Sequence, residues 1–356
     1  MKYNNTISLI AISIVLFTSN SSAGELFDWY GTIRAQVQDT NNGELEYKDN
    51  YSRLGAAGGA EILDGIKATY NVEFRLFTSD GSFAGSDSRA RLANIGLESE
   101  YGSLLIGKQY SPQWNYTNNA IDIFADVDQS AGCTNEASGV ICHTSRYGLF
   151  GYDQAGNGHY VEVLRPDRAV TYTTPDLNGF QASAMAILND GDVKASADGS
   201  DSETLVGYNI AAKYKWQDFT LSAARFEVSS FVEEASIDSV QLVYNHDKLS
   251  IAAHYQMSED LRFYEGLPAA GEMVEEQVYE IYAGYKFSEV QIQAAYSIVD
   301  MTSPSNVNVD TDHLLIDVIY PHKYGRFYAE YSIWGDEAEE FFIAADTVIL
   351  GVQFDF

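Results

Sequence analysis

Six arginines and three aspartates are the residues of this chain best placed to act on something other than the protein itself. Arg53, Arg91 and Arg168 fall on the polar side of alternating stretches, and Arg34, Arg75 and Arg89 share that parity. A guanidinium stays charged at every physiological pH. Asp122, Asp126 and Asp128 lie in a long stretch between two such alternating segments. A row of fixed cations facing carboxylates across a water-filled gap sets up a transverse field, which orders water and sorts solutes by charge and dipole. The plainer alternative for each arginine is a strand residue held in an ion pair without further consequence.

Other chemistry finds less support. No Gly-x-Ser-x-Gly elbow, Walker loop or His-Glu-x-x-His occurs, so no enzyme and no cofactor is expected. Cys133 and Cys142, with eight residues between them, are expected to form a disulfide inside the same long stretch, given an oxidising compartment. With His143 and His159 they offer a zinc set instead, but Cys-x8-Cys-His is not a recognised ligand spacing, and no metal is expected.

The elements that position these residues are strands. From Trp29, the residues Trp29, Gly31, Ile33, Ala35 and Val37 alternate with Tyr30, Thr32, Arg34, Gln36 and Gln38. Residues 66–76 repeat the pattern over eleven positions, longer than globular strands usually run and long enough to cross an apolar layer at a tilt. Sixteen such segments can be placed between 29 and 356. Their connections alternate between short, such as 63–65, 100–102, 216–218 and 288–289, and long, such as 189–202, 258–275 and 300–312. A membrane barrel has short turns at one end and long loops at the other, whereas a soluble sandwich has no reason for the difference. Aromatic residues near strand ends, among them Trp216, Phe219, Tyr285, Phe287 and Phe354, fit two interfacial girdles. Residues 110–166 do not read as alternating strands; they are expected to fold back into the barrel and narrow it.

Composition sets the remaining bounds. Residues 1–23 have the layout of a cleaved secretory signal, with an apolar core over 7–17 and a small-residue site at Ser21-Ser22-Ala23. Residues 24–356 then form one barrel domain. With 51 acidic against 21 basic residues and a net charge of −30, nucleic acid is not expected as a partner. The acidic outer loops either stay solvated or hold divalent cations that bridge to lipid and lipopolysaccharide headgroups.

Four segments carry a resemblance. Ser52-Arg53-Leu54-Gly55, Arg91-Leu92-Ala93-Asn94-Ile95-Gly96-Leu97, Gly102-Ser103-Leu104-Leu105-Ile106-Gly107-Lys108-Gln109 and Arg168-Ala169-Val170-Thr171-Tyr172, the last followed by Pro175-Asp176-Leu177-Asn178-Gly179-Phe180, resemble the general diffusion porins of Gram-negative outer membranes. The chain also ends in Phe356, which in that family is read by the barrel-assembly machinery. The resemblance implies a homotrimer of sixteen-stranded outer-membrane barrels passing small hydrophilic solutes. It further implies that Arg53, Arg91 and Arg168 are the basic wall of a constriction and that Asp122 and Asp126 are its acidic loop. Thr32 stands where many members have lysine, with Arg34 two residues along the same face, and a Pro-Glu-Phe-Gly-Gly-Asp segment of some members is missing. The acid excess favours a weak cation preference, against the pull of the arginines. A substrate-specific channel and an adhesin-like or receptor-like barrel with a largely plugged lumen are the alternatives.

Overall fold

Alternating apolar and polar side chains leave one face of each strand for lipid and the other for water, and a sheet with two such faces has to close to lose its edges. A computed structural model of the chain describes residues 27–40, 45–83, 90–121, 124, 148–152, 158–188, 205–229, 234–262, 272–302, 308–335 and 346–356. The expected signal segment and its cleavage site lie outside these residues.

The described strands run β1 (Asp28–Thr40), β2 (Leu45–Asp49), β3 (Arg53–Leu63), β4 (Ile66–Arg75), β5 (Leu92–Ser99), β6 (Gly102–Lys108), β7 (Gly148–Tyr152), β8 (Gly158–Glu162), β9 (Ala169–Thr173) and β10 (Phe180–Leu188). They continue as β11 (Leu205–Trp216), β12 (Phe219–Val228), β13 (Ala235–His246), β14 (Leu249–Arg262), β15 (Glu272–Phe287), β16 (Val290–Thr302), β17 (Asn308–His322), β18 (Gly325–Trp334) and β19 (Thr347–Asp355). All pairings are antiparallel. β2 and β3 follow one another along β1 and make one broken strand of the wall, while β7 and β8 form a small sheet of their own. The wall therefore has sixteen strands, closed where β1 pairs with β19 from Thr32 opposite Asp355 to Thr40 opposite Thr347.

The seam ends on Phe356. Its N–H donates to the Gly31 carbonyl at 3.1 Å, and the Gly31 N–H donates to the Phe356 carbonyl at 2.9 Å. The Phe356 ring lies across Gly31, where a Cβ would sit 2.5 Å from a ring carbon and 2.8 Å from the Arg53 carbonyl oxygen. Only a residue without a side chain admits that ring.

β15 shows the two faces of the wall. Tyr279, Ile281, Ala283, Tyr285 and Phe287 are exposed outward, while Glu276, Val278, Glu280 and Tyr282 are buried inward. Ile33, Ile95, Ile106, Leu221, Leu242, Ile298, Val318 and Leu350 continue the outer belt on other strands. Apolar surface of this extent has no place on a water-soluble monomer, so the belt faces hydrocarbon. At the short-turn end, rings gather in contact: Phe219 with Trp216 and Tyr244, Tyr285 with Phe287, and Tyr324 with Phe354.

Four expectations about the elements change. Residues 258–275 are not all loop, because β14 and β15 keep pairing as far as Arg262 opposite Glu272. Polar residues there extend the hairpin past the apolar belt, where water replaces lipid and alternation no longer marks a strand. The same holds for β17, which begins at Asn308 rather than near residue 313, and for β2 inside the polar stretch 39–50. The segment 110–166 also holds regular structure, a π-helical turn Trp114–Asn118 and the hairpin of β7 and β8.

Substituting Gly31→Val should drive its methyls into the Phe356 ring and the Arg53 carbonyl. Overpacking of this kind costs roughly 1–3 kcal/mol, and on heating the variant should lose its β-sheet circular dichroism at a lower temperature than the wild type.

Candidate functional site

The inner wall at β1, β3, β4 and the start of β5 carries a cluster of arginines built around one carboxylate. Glu73 on β4 is buried, with Arg91 Nε at 2.8 Å from one oxygen and Arg53 Nε at 4.0 Å from the other. Arg53 and Arg75 are directly opposed across β3 and β4. Like charges so placed repel. Glu73 offsets that repulsion on one side and Asp49, 3.9 Å from Arg75 Nε, on the other. The Arg75 guanidinium also lies 4.1 Å from the Tyr51 ring centre and 4.4 Å from that of Phe77, and Arg91 is 5.8 Å from Tyr51. Two aromatic faces hold a cation flat where a flexible ammonium would wander.

Tyr51 is placed by the break between β2 and β3. Its φ is 56°, and Ser52 Oγ accepts the Arg34 N–H at 2.8 Å while donating to the Arg34 carbonyl at 3.0 Å. The break thus steps the chain off β1 and sets Tyr51 beneath two guanidinium groups. Arg34 shares this wall, with Nε 3.4 Å from Thr32 Oγ1. Arg91 arrives by another route. Leu92 takes the position opposite Glu73, and Arg91 reaches the carboxylate from a bend just before β5. Arg168 precedes β9, has φ 53° and pairs with Asp167 at 3.0 Å, so strand parity does not set its direction.

Residues 109–166 leave the wall through a pinned neck. Gly107, at φ 116°, breaks the alternation of β6, and a Cβ there would run into the Ala93 carbonyl. Lys108, which alternation would aim at lipid, instead reaches Glu162 at 2.8 Å, and Glu162 in turn holds Arg165 at 3.1 Å. Gln109 N–H bonds to the Pro166 carbonyl and Ser111 N–H to the Leu164 carbonyl, closing the neck.

The turn that follows begins at Ser111-Pro112, with Ser111 Oγ accepting the Trp114 N–H at 3.1 Å. Serine as cap and proline in the first turn are the residues that start a helix well. This turn is latched to the far wall. Gln113 N–H donates to Asn209 Oδ1 and Gln113 Nε2 to Ser239 Oγ, both at 2.6 Å; Gln241 Nε2 donates to the Thr117 carbonyl at 2.6 Å. These four side chains and Ser239 are all buried. Ile121 and Phe124 pack on Val243, Ala252, Tyr282, Ala295 and Leu315, and Leu149 and Val161 belong to a second cluster with Phe226, Val228 and Ile237. Burial pushes the Tyr116 phenol up to about 12, so it remains neutral. The described parts of the loop therefore lie on the side of β10 to β17, facing the wall of arginines.

Arg34, Arg53, Arg75 and Arg91 are thus brought onto one patch of wall. Arg89, Asp122, Asp126, Asp128, Cys133, Cys142 and His143 lie outside the described residues, as does the His159 side chain. Among the described residues no cluster of three His, Cys, Asp or Glu could hold a metal ion. Glu73, Asp49, Tyr51 and the Gln113 and Thr117 latch carry no motif in the sequence that marks them out. Glu73 sits on the same polar face as Arg75 and was legible by parity, whereas Tyr51 depends on the strand break.

Residues 9–338 match the profile of the Gram-negative porin family. An outer membrane porin protein of Bordetella pertussis is 28% identical over 169 residues, which are 43% of this chain and 37% of that protein. The chain spans less than half the length of the curated relatives it matches. Among solved structures, an anion-selective porin from Comamonas acidovorans superposes with a TM-score of 0.64 at 16% identity, covering 93% of this chain and 99% of that one. The trimer form of OmpT from Vibrio cholerae gives a TM-score of 0.62 at 15% identity, over 93% and 99%.

Replacing Gln113 with Ala removes its side-chain bond to Ser239 and leaves a buried gap there, while the backbone N–H bond to Asn209 is kept. Loss of one such buried bond weakens docking by about 1–3 kcal/mol. Amide hydrogen exchange over 111–121 should accelerate roughly tenfold, with the strands of the wall unaffected.

Proposed function

The chain belongs to the Gram-negative porin family, and on that ground we propose that its barrel is a water-filled passage through which small hydrophilic solutes and ions diffuse passively. Its place is the outer membrane, where the apolar belt meets lipid. The observation that carries the reading is the opposition inside the barrel: arginines partly open to the lumen on one wall, Arg53 at 25% and Arg75 at 20% side-chain exposure, and a latched loop packed on the other. The described parts of the loop sit on one side of the lumen, which supports a conducting barrel over a plugged adhesin or receptor.

The finer assignments follow from the same arrangement. Arg34, Arg53, Arg75 and Arg91, joined by Arg89 and Arg168, form the basic side of the constriction, and Asp122, Asp126 and Asp128 form the acidic side. A disulfide between Cys133 and Cys142 stiffens the loop that carries them. The passage has a weak cation preference, because the wall arginines are already half neutralised by Glu73 and Asp49 while the loop adds three carboxylates. The working unit is a homotrimer, as in the solved OmpT trimer form of similar fold. The acidic outer loops face lipopolysaccharide headgroups, with divalent cations as the bridge. No catalytic step is assigned.

Purified protein in a planar bilayer should open in discrete steps, and a salt gradient should give a reversal potential on the cation side. Asp122→Asn with Asp126→Asn should move that potential towards anions, and so should Glu73→Gln. Arg91→Ala with Arg168→Ala should move it towards cations. A sealed barrel, or a wild type with clear anion preference, would refute the reading or its selectivity respectively.

A further inference from the structure

Between the start of the inner loop and the wall of β6, β9, β10 and β11 lies a cavity of about 330 Å³. Tyr110, Asn115 and Tyr116 of the loop form one side of it, and Thr171, Gln181 and Lys213 of the wall form the other. Two of these residues present an unmet demand. The hydroxyls of Tyr116, 7% exposed, and Thr171, 6% exposed, are buried and have no hydrogen-bond partner in the protein. A buried hydroxyl left without a partner is costly, and two of them bordering one cavity mark a place that something polar completes.

We propose that this cavity is a binding subsite for a neutral, polyhydroxylated solute of hexose size. A sugar hydroxyl both donates and accepts, as does each orphaned hydroxyl, and the amides of Asn115 and Gln181 offer both roles as well. The rim is balanced in charge. The Lys213 ammonium lies 4.9 Å from the centre of the Tyr116 ring, and Glu98 also lines the cavity, so neither sign of ion is favoured. The rings of Tyr110 and Tyr116, with Pro112 and Leu105, supply the apolar patches that suit the C–H faces of a sugar ring. The volume falls at the small end of ligand pockets, which suits a monosaccharide better than a longer chain. Glu98 and Ser103 place the floor beside the short turn, so a solute held there sits on the short-turn side of the inner loop. The inference rests on the lumen being a conducting passage.

The test is ion current through the purified, assembled protein in a planar bilayer, with D-glucose added in steps. Wild type should lose current saturably, with half-saturation in the millimolar range. Tyr116→Phe combined with Thr171→Val should raise the half-saturating concentration at least tenfold, each protein being compared with its own sugar-free current. Should the double variant not assemble, Thr171→Val alone should raise it about threefold. Gluconate, which carries a carboxylate, should block more weakly than glucose. A decrease that is linear in sugar and the same in wild type and variant would mean that the cavity holds water only, and would overturn the proposal. Equal block by gluconate would overturn the assignment to neutral solutes. Absence of any sugar-free current would instead refute the conducting passage.

Discussion

In hydrocarbon a backbone N–H or C=O without a partner costs several kcal/mol, and no water is at hand to supply one. Every other feature of this protein depends on the way the chain meets that demand. Fifteen hairpin pairings satisfy all but the two outer edges of the sheet, and the sixteenth, β1 with β19, removes the edges. The seam is carried to its last residue by paired bonds between Phe356 and Gly31. Once the backbone is closed, side chains on the inner face are free to be polar, and the wall can hold charges that no lipid-facing surface tolerates.

Inside the barrel the problem is reversed, because a wide polar lumen has little to hold a long loop in position. The loop is fixed by two kinds of contact that a water-filled space does not weaken. Buried amide and hydroxyl groups of Gln113, Thr117, Asn209, Ser239 and Gln241 bond to one another away from solvent, and apolar residues such as Ile121, Phe124, Leu149 and Val161 find matching patches on the inner wall. Val243, Ala252 and Phe226 are apolar residues on the lumen side, against the general pattern, and they mark where the loop lands. On the opposite wall, charges are spaced by aromatic stacking and by two embedded carboxylates.

Much of this was legible in the sequence, for a physical reason. Wherever one strand face meets lipid and the other water, the alternation is forced, so β1, β4 and the hairpins from β11 to β16 stand out at their centres. The legibility fades where the solvent is the same on both sides. β14, β15 and β17 run on above the lipid belt, where their alternation breaks down and the sequence pattern no longer separates strand from loop. Parity placed Arg34, Arg53 and Arg75 on the inner wall, but it could not place Tyr51 or Arg91, whose directions come from a strand break and a bend. The loop's latch was hidden for a similar reason, since Gln113 and Thr117 gain meaning only from Asn209, Ser239 and Gln241, more than ninety positions later.

The neck at Gln109 and Ser111 has a consequence for how such a barrel can change over time. Because the two strands of the neck are tied to each other by the carbonyls of Pro166 and Leu164, the wall on either side is indifferent to how much chain lies between. Insertions or deletions beyond that tie alter the furniture of the lumen and leave the staves untouched. The fold therefore carries a replaceable insert, in which new solute preferences can be tried without putting assembly at risk.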